Sequence, residues 1–153
     1  MKEHTHLILL IIISLILVIG SFIIALKVVN DKLEEKGKDK VTVLQFFNNN
    51  TNPTFKTILV GMSFGFVFGF IDNAGLWFGL DVLEKYIPGG ILTKAGWGNT
   101  YSDFLGSTLG TCIAIILKTL FPISDTPIWV DSFGVVVGCI FGIYIPQMIT
   151  GKN

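Results

Sequence analysis

Two acids stand where the chain is otherwise apolar. Asp72 lies inside GFVFGFIDNAGLWFGL, residues 65–80, and is followed by Asn73. A second polar group opens GNTYSDFLGSTLGT, residues 98–111, which carries Asn99, Ser102 and Asp103, with Ser107 and Thr108 behind them. Asn99 and Asp103 are four apart, so a helix places them on one face. Carboxylates, amides and hydroxyls are hard oxygen donors. Two carboxylates balance one divalent cation, and Ca²⁺ accepts about six to eight such oxygens. No Lys or Arg lies near these acids in the sequence, and an unpaired buried carboxyl calls for a cation or a proton. The candidate cation-binding set is therefore Asp72, Asn73, Asn99, Ser102 and Asp103, with Asp72 and Asp103 as the metal-ligating pair. Plainer readings compete. Asp72-Asn73-Ala74-Gly75 suits a break where the chain leaves a helix and re-enters it. Thr100-x-x-Asp103 reads as a capping box that opens a helix. Asp131, with Trp129 beside it, fits the first turn of a helix at a membrane interface.

The elements that must position these residues are membrane spans. The chain has 153 residues, 51% hydrophobic and 14% charged, with no net charge, and its mean hydropathy is +0.69. That composition is far from a soluble domain and gives no footprint for nucleic acid. All eleven basic residues are Lys, so the bidentate clamp that Arg offers phosphate is missing. Residues 7–29 form a run of the length that spans a bilayer, about 20 residues, and serve as an anchor helix. The run is too long for a signal peptide's apolar region, and no A-x-A-like site follows it. NDKLEEKGKDK, residues 30–40, is a solvated linker that continues the helix for a turn or two. VTVLQFF then lies on the membrane, and NNNTNP forms a turn ending at Pro53. Three further spans are expected over residues 57–80, 100–121 and 128–149, making four in all. Their links are DVLEKYIPGGILTKAGWGN and PISDTP. The expected organisation is an anchor at 1–29, a linker at 30–56, a three-span bundle at 57–149 and a tail at 150–153. Lysine bias places the long linker inside and both termini outside. On that topology the sequon at Asn49 faces the wrong side for glycosylation.

On a residue count from Thr57, Asp72 lies about fifteen residues, roughly 20 Å, into its span. Its short stem cannot reach an interface, so the carboxyl must face protein, water or a cation. Glycines supply the packing. Gly61, Gly65 and Gly69 recur every four residues; so do Ser102, Gly106, Gly110 and Ala114, and so do Gly134, Gly138 and Gly142. Small residues at this spacing let helices approach closely in lipid. Three such stripes predict a compact Gly-rich bundle of the last three spans. SFGFVFGF at 63–70 also resembles SFGVVVGCIFG at 132–142, a faint internal repeat of the kind common in transporters.

Other classes fall away. His occurs only at His4 and His6, so no Ser–His pair forms in the bundle; His4-x-His6 reads as a tail rather than a metal site. No GxGD-like signature accompanies the acids, and the chain is not expected to be an enzyme or to hold a cofactor. Cys112 and Cys139 read as small packing residues.

Three motifs in order carry a resemblance: Gly69-Phe70-x-Asp72-Asn73-Ala74, then Gly98-Asn99-x-x-Ser102-Asp103-x-x-Gly106, then Gly134-Val135-x-x-Gly138-Cys139-x-x-Gly142-x-x-x-Pro146. Over residues 57–149 the chain resembles the transmembrane protein 65 family in motif order, spacing and three-span layout. The resemblance implies a mitochondrial inner-membrane protein tied to Na⁺-dependent Ca²⁺ efflux, plausible as the exchanger itself. It also implies that Asp72, Asn73, Asn99 and Asp103 match the family's acid and amide motifs. The chain departs from the family in opening on a hydrophobic span where the family carries a presequence, and in the shortness of LKTLFPISDTPIW. The reading carried forward is an all-α integral membrane protein, a homodimer or higher, that exchanges Na⁺ and Ca²⁺ through intramembrane Asp and Asn ligands. The rival is a structural or assembly protein of an organelle or virion membrane, or a regulator of another transporter. Under that rival the glycine stripes drive oligomerisation.

Overall fold

The computed structural model describes residues 2–83 and 85–151; the side chains of His4 and His6 lie outside the described residues. Every regular element among them is an α-helix: α1 (Lys2–Glu35), α2 (Val43–Phe47), α3 (Phe55–Gly61), α4 (Ser63–Leu83), α5 (Ile91–Leu120) and α6 (Ile128–Thr150). Three are long and apolar enough to cross a membrane: α1 over Ile8–Glu35, α5 and α6. A fourth crossing exists if α3 and α4, bent by 41° at their junction, count as one span.

The chain divides into two units, residues 1–46 and 47–153. In the first, α1 runs through the charged NDKLEE segment, as its sequence suggested, and stops at Gly37. That glycine has φ 64°, the left-handed conformation a helix terminator needs. Gly37 N–H donates to Glu34 O at 2.9 Å and Lys38 N–H to Leu33 O at 2.9 Å, so the last carbonyls are satisfied in a Schellman motif. Asn30 then clasps Val41 with two bonds, donating to its carbonyl at 3.1 Å and accepting from its N–H at 2.8 Å.

In the second unit α4 is the central element, and α5 and α6 each pack along it. Helix α5 runs antiparallel to α4: Gly110 faces Phe64, Gly106 faces Phe68, and Ser102 bonds Asp72. Helix α6 runs parallel, and its contact with α4 has a two-fold pattern. A methyl group on Gly65 would strike Asp131 O and Val135 N, and one on Gly134 would strike Met62 O and Phe66 N. Likewise Gly69 meets Val135 O and Cys139 N, while Gly138 meets Phe66 O and Phe70 N. The two copies of the faint SFG repeat are thus the two halves of one backbone-on-backbone interface, the close approach that small residues permit.

All eight packing glycines are spent in this way. Gly61 packs on Thr126 and Val130, and a methyl on Gly142 would lie 2.6 Å from Phe70 O. Methyls on Gly106 and Gly110 would each lie 3.0 Å from a carbonyl oxygen of α4. The stripes therefore pack the chain against itself.

Three expectations are corrected. The chain does not break at Asp72–Gly75; α4 is continuous there, because in lipid each backbone group must be satisfied along the helix itself. The break falls at Met62, where the sequence predicts an unbroken span. Gly61 and Ser63 flank it, and Ser63 Oγ donates back to Val60 O at 2.7 Å; paired Gly and Ser are recognised kink sites. Finally, α5 begins at Ile91, directly after the Pro88-Gly89-Gly90 turn, so Thr100 and Asp103 lie well inside it. Thr100 Oγ1 donates to Gly96 O at 2.9 Å, and the capping-box reading fails.

Candidate functional site

The register of α4 and α5 brings the polar residues together. Gly75 lies one turn beyond Asp72, on the same face. A methyl there would stand 2.9 Å from Ser102 Cβ, so the glycine gives α5 room to approach. Ser102 is completely buried. Its hydroxyl donates to Asp72 Oδ1 at 2.9 Å and also lies 3.0 Å from Asn99 O; with one proton it serves these acceptors in alternation. Asn99 Nδ2 donates to Asp103 Oδ2 at 2.8 Å, which leaves the amide oxygen of Asn99 unengaged by that bond. Asp103 follows Ser102 directly on α5 and lies near enough to Asp72 for the two charges to interact. Both residues are half-buried, while Asn99 is exposed.

Among the described residues no ion pair from a basic group to either acid is found. The ion pairs among the described residues are Lys32–Glu35 and Lys40–Glu34, both in the first unit. Asp72, Asn99, Ser102 and Asp103 are thus brought to one place by the α4–α5 register.

Asn73 is directed elsewhere. One residue on from Asp72, it turns towards α6: its Cβ packs against Gly142 and its amide lies 3.4 Å from Gly69 O, where Cys139 Sγ also packs. The result is a polar layer crossing all three helices, from Asn99 and Asp103 through Asp72 and Asn73 to Cys139. Sequence reasoning assigned Cys139 to packing alone. Its signal was register: on the repeat that aligns Gly69 with Gly138, Cys139 follows the glycine as Phe70 does on α4.

Asp131 lies in the first turn of α6, as its sequence suggested. Its Oδ1 accepts from Gly65 N–H at 3.1 Å, one of the donors freed where the span breaks at Met62. The acid thus serves two helices, the first turn of its own and the opened ladder of α4. At the same end, the NNNTNP loop docks on α6. Asn49 and Asn50 take positive φ, which Asn tolerates. Trp129 Nε1 donates to Asn48 Oδ1 at 3.3 Å and Asn49 Nδ2 to Thr126 O at 3.4 Å, so the sequon asparagine already has a structural partner.

As a resident metal centre the site is sparse. Among the described residues no three His, Cys, Asp or Glu converge. Two carboxyls with an amide and a hydroxyl suit passing occupancy by a hard cation or a shared proton better than permanent chelation. Comparison of the chain with protein-family models, with curated proteins and with solved structures gave no match in any of the three.

Proposed function

We propose that this chain is a multi-pass membrane cation transporter of the Na⁺/Ca²⁺ exchange type, with Asp72 and Asp103 as its ion-binding carboxyls. Asn99 and Ser102 complete the near shell, and Asn73 orients α6 behind it. The observation that carries the reading is the adjacency of two carboxyls with no basic partner among the described residues, in helices that bury their faces in apolar surroundings. Two adjacent negative charges are costly there unless a cation or proton shares them. In this reading α3 and α4 form one broken span, giving four crossings. A homodimer or higher assembly supplies further walls for the ion path, through surfaces other than the glycine stripes. The resemblance to the transmembrane protein 65 family supports the Na⁺ and Ca²⁺ assignment and a mitochondrial inner-membrane setting.

The test is Ca²⁺ flux into liposomes that hold only this protein, driven by an imposed Na⁺ gradient. Wild type is expected to give Na⁺-dependent flux, and Asp72→Asn, nearly isosteric, to abolish it. Folded wild-type protein that moves no Ca²⁺ under Na⁺, K⁺ or H⁺ gradients would leave the structural or regulatory reading in its place.

A further inference from the structure

A groove of about 340 Å³ opens on α4 between α5 and α6, lined by Leu59, Met62, Ser63, Phe66, Val67, Ile113, Leu117 and Val137. Its lining is almost wholly apolar. It occupies a different flank from the carboxyls. On α5 the residues that face α4 are Ser102, Gly106, Gly110 and Ala114. Asp103 follows that stripe by one residue, while Ile113 and Leu117 precede it by one, so the two project to opposite sides.

The end of this groove is cationic. Helices α4 and α5 keep step, Ser102 with Asp72, Gly106 with Phe68 and Gly110 with Phe64. The bend at Met62 ends that register, and the lining residues place the lysines instead: Lys118 follows Leu117, and Lys56 lies one turn before Leu59, at the same end of the groove. Both lysines are exposed, and neither has an ion pair among the described residues; Asp125 shares a shallow recess with Lys118 without pairing to it. Trp129 stands at the same end, as aromatic residues do at a membrane interface. From Leu59 to Val67 the groove runs about 12 Å along the helix, and its volume is that of a small-ligand site.

We propose that this groove binds one anionic phospholipid, with an acyl chain lying along Ser63, Val67, Ile113 and Leu117 and the phosphate held between Lys56 and Lys118. The apolar channel alone would take any lipid tail; the two lysines at its end select the negative headgroup. This site is independent of the cation reading and stands whether or not the chain transports.

The experiment is native mass spectrometry of the full chain in detergent, titrated with phosphatidylglycerol or with phosphatidylcholine of the same acyl chains. One phosphatidylglycerol per chain is expected to survive where phosphatidylcholine does not. Paired Lys56→Gln and Lys118→Gln should weaken its retention about twenty-fold, at roughly five-fold per lysine near an anionic headgroup. Val67→Trp, with helix content checked by circular dichroism, should block it while leaving both lysines in place. Equal retention of the two lipids, indifference to the lysine pair, displacement by free glycerol phosphate, or a dimer mass that appears in the lipid's place would each overturn the proposal.

Discussion

At the scale of single residues, the chain uses each of its intramembrane acids differently. Asp72 is held by one hydroxyl and lies near Asp103, whereas Asp131 is absorbed into the backbone by Gly65 N–H. Asp131→Ala removes a cap from a broken helix and is expected to cost about 1–2 kcal/mol. Asp131→Asn, which keeps a carbonyl acceptor, should recover most of that. Thermal unfolding in detergent measures both, and an alanine variant as stable as wild type would show that the cap contributes nothing. Ser102→Ala acts at the other site. It strips half-buried Asp72 of its hydroxyl donor, an expected loss of about 1 kcal/mol, and should also weaken ion-dependent protection against unfolding. The acids and amides themselves were legible in the sequence, because charge inside an apolar run has few explanations. Their partners were less so. Asn73 and Asp72 are neighbours in sequence, yet a helix turns successive side chains about 100° apart, so one meets α5 and the other α6. The adjacent pair reads as one site in a string of letters and as two flanks in space.

At the scale of elements, the stripes of small residues foretold which faces pack, and the glycines obey them. What they concealed was the degree of contact. On α4 and α6 a methyl at Gly65, Gly69, Gly134 or Gly138 would meet backbone, which cannot rotate aside. On α5 a methyl at Gly110 would lie 3.0 Å from Phe64 O, tight but nearer tolerance. Gly138→Ala is therefore expected to destabilise by about 1–3 kcal/mol, and Gly110→Ala by clearly less. Parallel melts of the two variants decide this, and the reverse order would contradict the two-fold interface. The kink at Met62 escaped hydropathy because the residues around it, 58–71, are almost wholly apolar; only the Gly61-Met62-Ser63 triplet hints at it. The early start of α5 escaped for the opposite reason. Gly96 and Gly98 suggest a loop by propensity, but Gly98 is buried, and packing overrides a cost of about 1 kcal/mol for glycine in a helix.

At the scale of the whole molecule, the question is which loops share a side of the membrane. If α3 and α4 cross as one bent span, the loop before α3 and the loop between α5 and α6 lie on one side, and the α4–α5 link lies on the other. The bonds from Asn48 to Trp129 and from Asn49 to Thr126 already tie the first two loops together. Single cysteines at Asn52, Tyr86 and Ser124, in a chain whose Cys112 and Cys139 are replaced by Ala, report this with an impermeant thiol reagent. Asn52→Cys and Ser124→Cys are expected to label from one face and Tyr86→Cys from the other. Lys56 and Lys118 are matched by Lys85 and Lys94, so the lysine bias that predicts the first face to be the inner one comes from Lys27, Lys32, Lys36, Lys38 and Lys40 of the long linker, against Lys2 and Lys152. If the bent pair is instead a re-entrant loop, Asn52→Cys and Tyr86→Cys label together. That outcome bears directly on transport. Asp72 lies between Met62 and the α4–α5 link, so a crossing span lets its carboxyl be reached from either side in turn. A re-entrant loop opens it to one side only, and exchange by alternating access through this pair would then have no route.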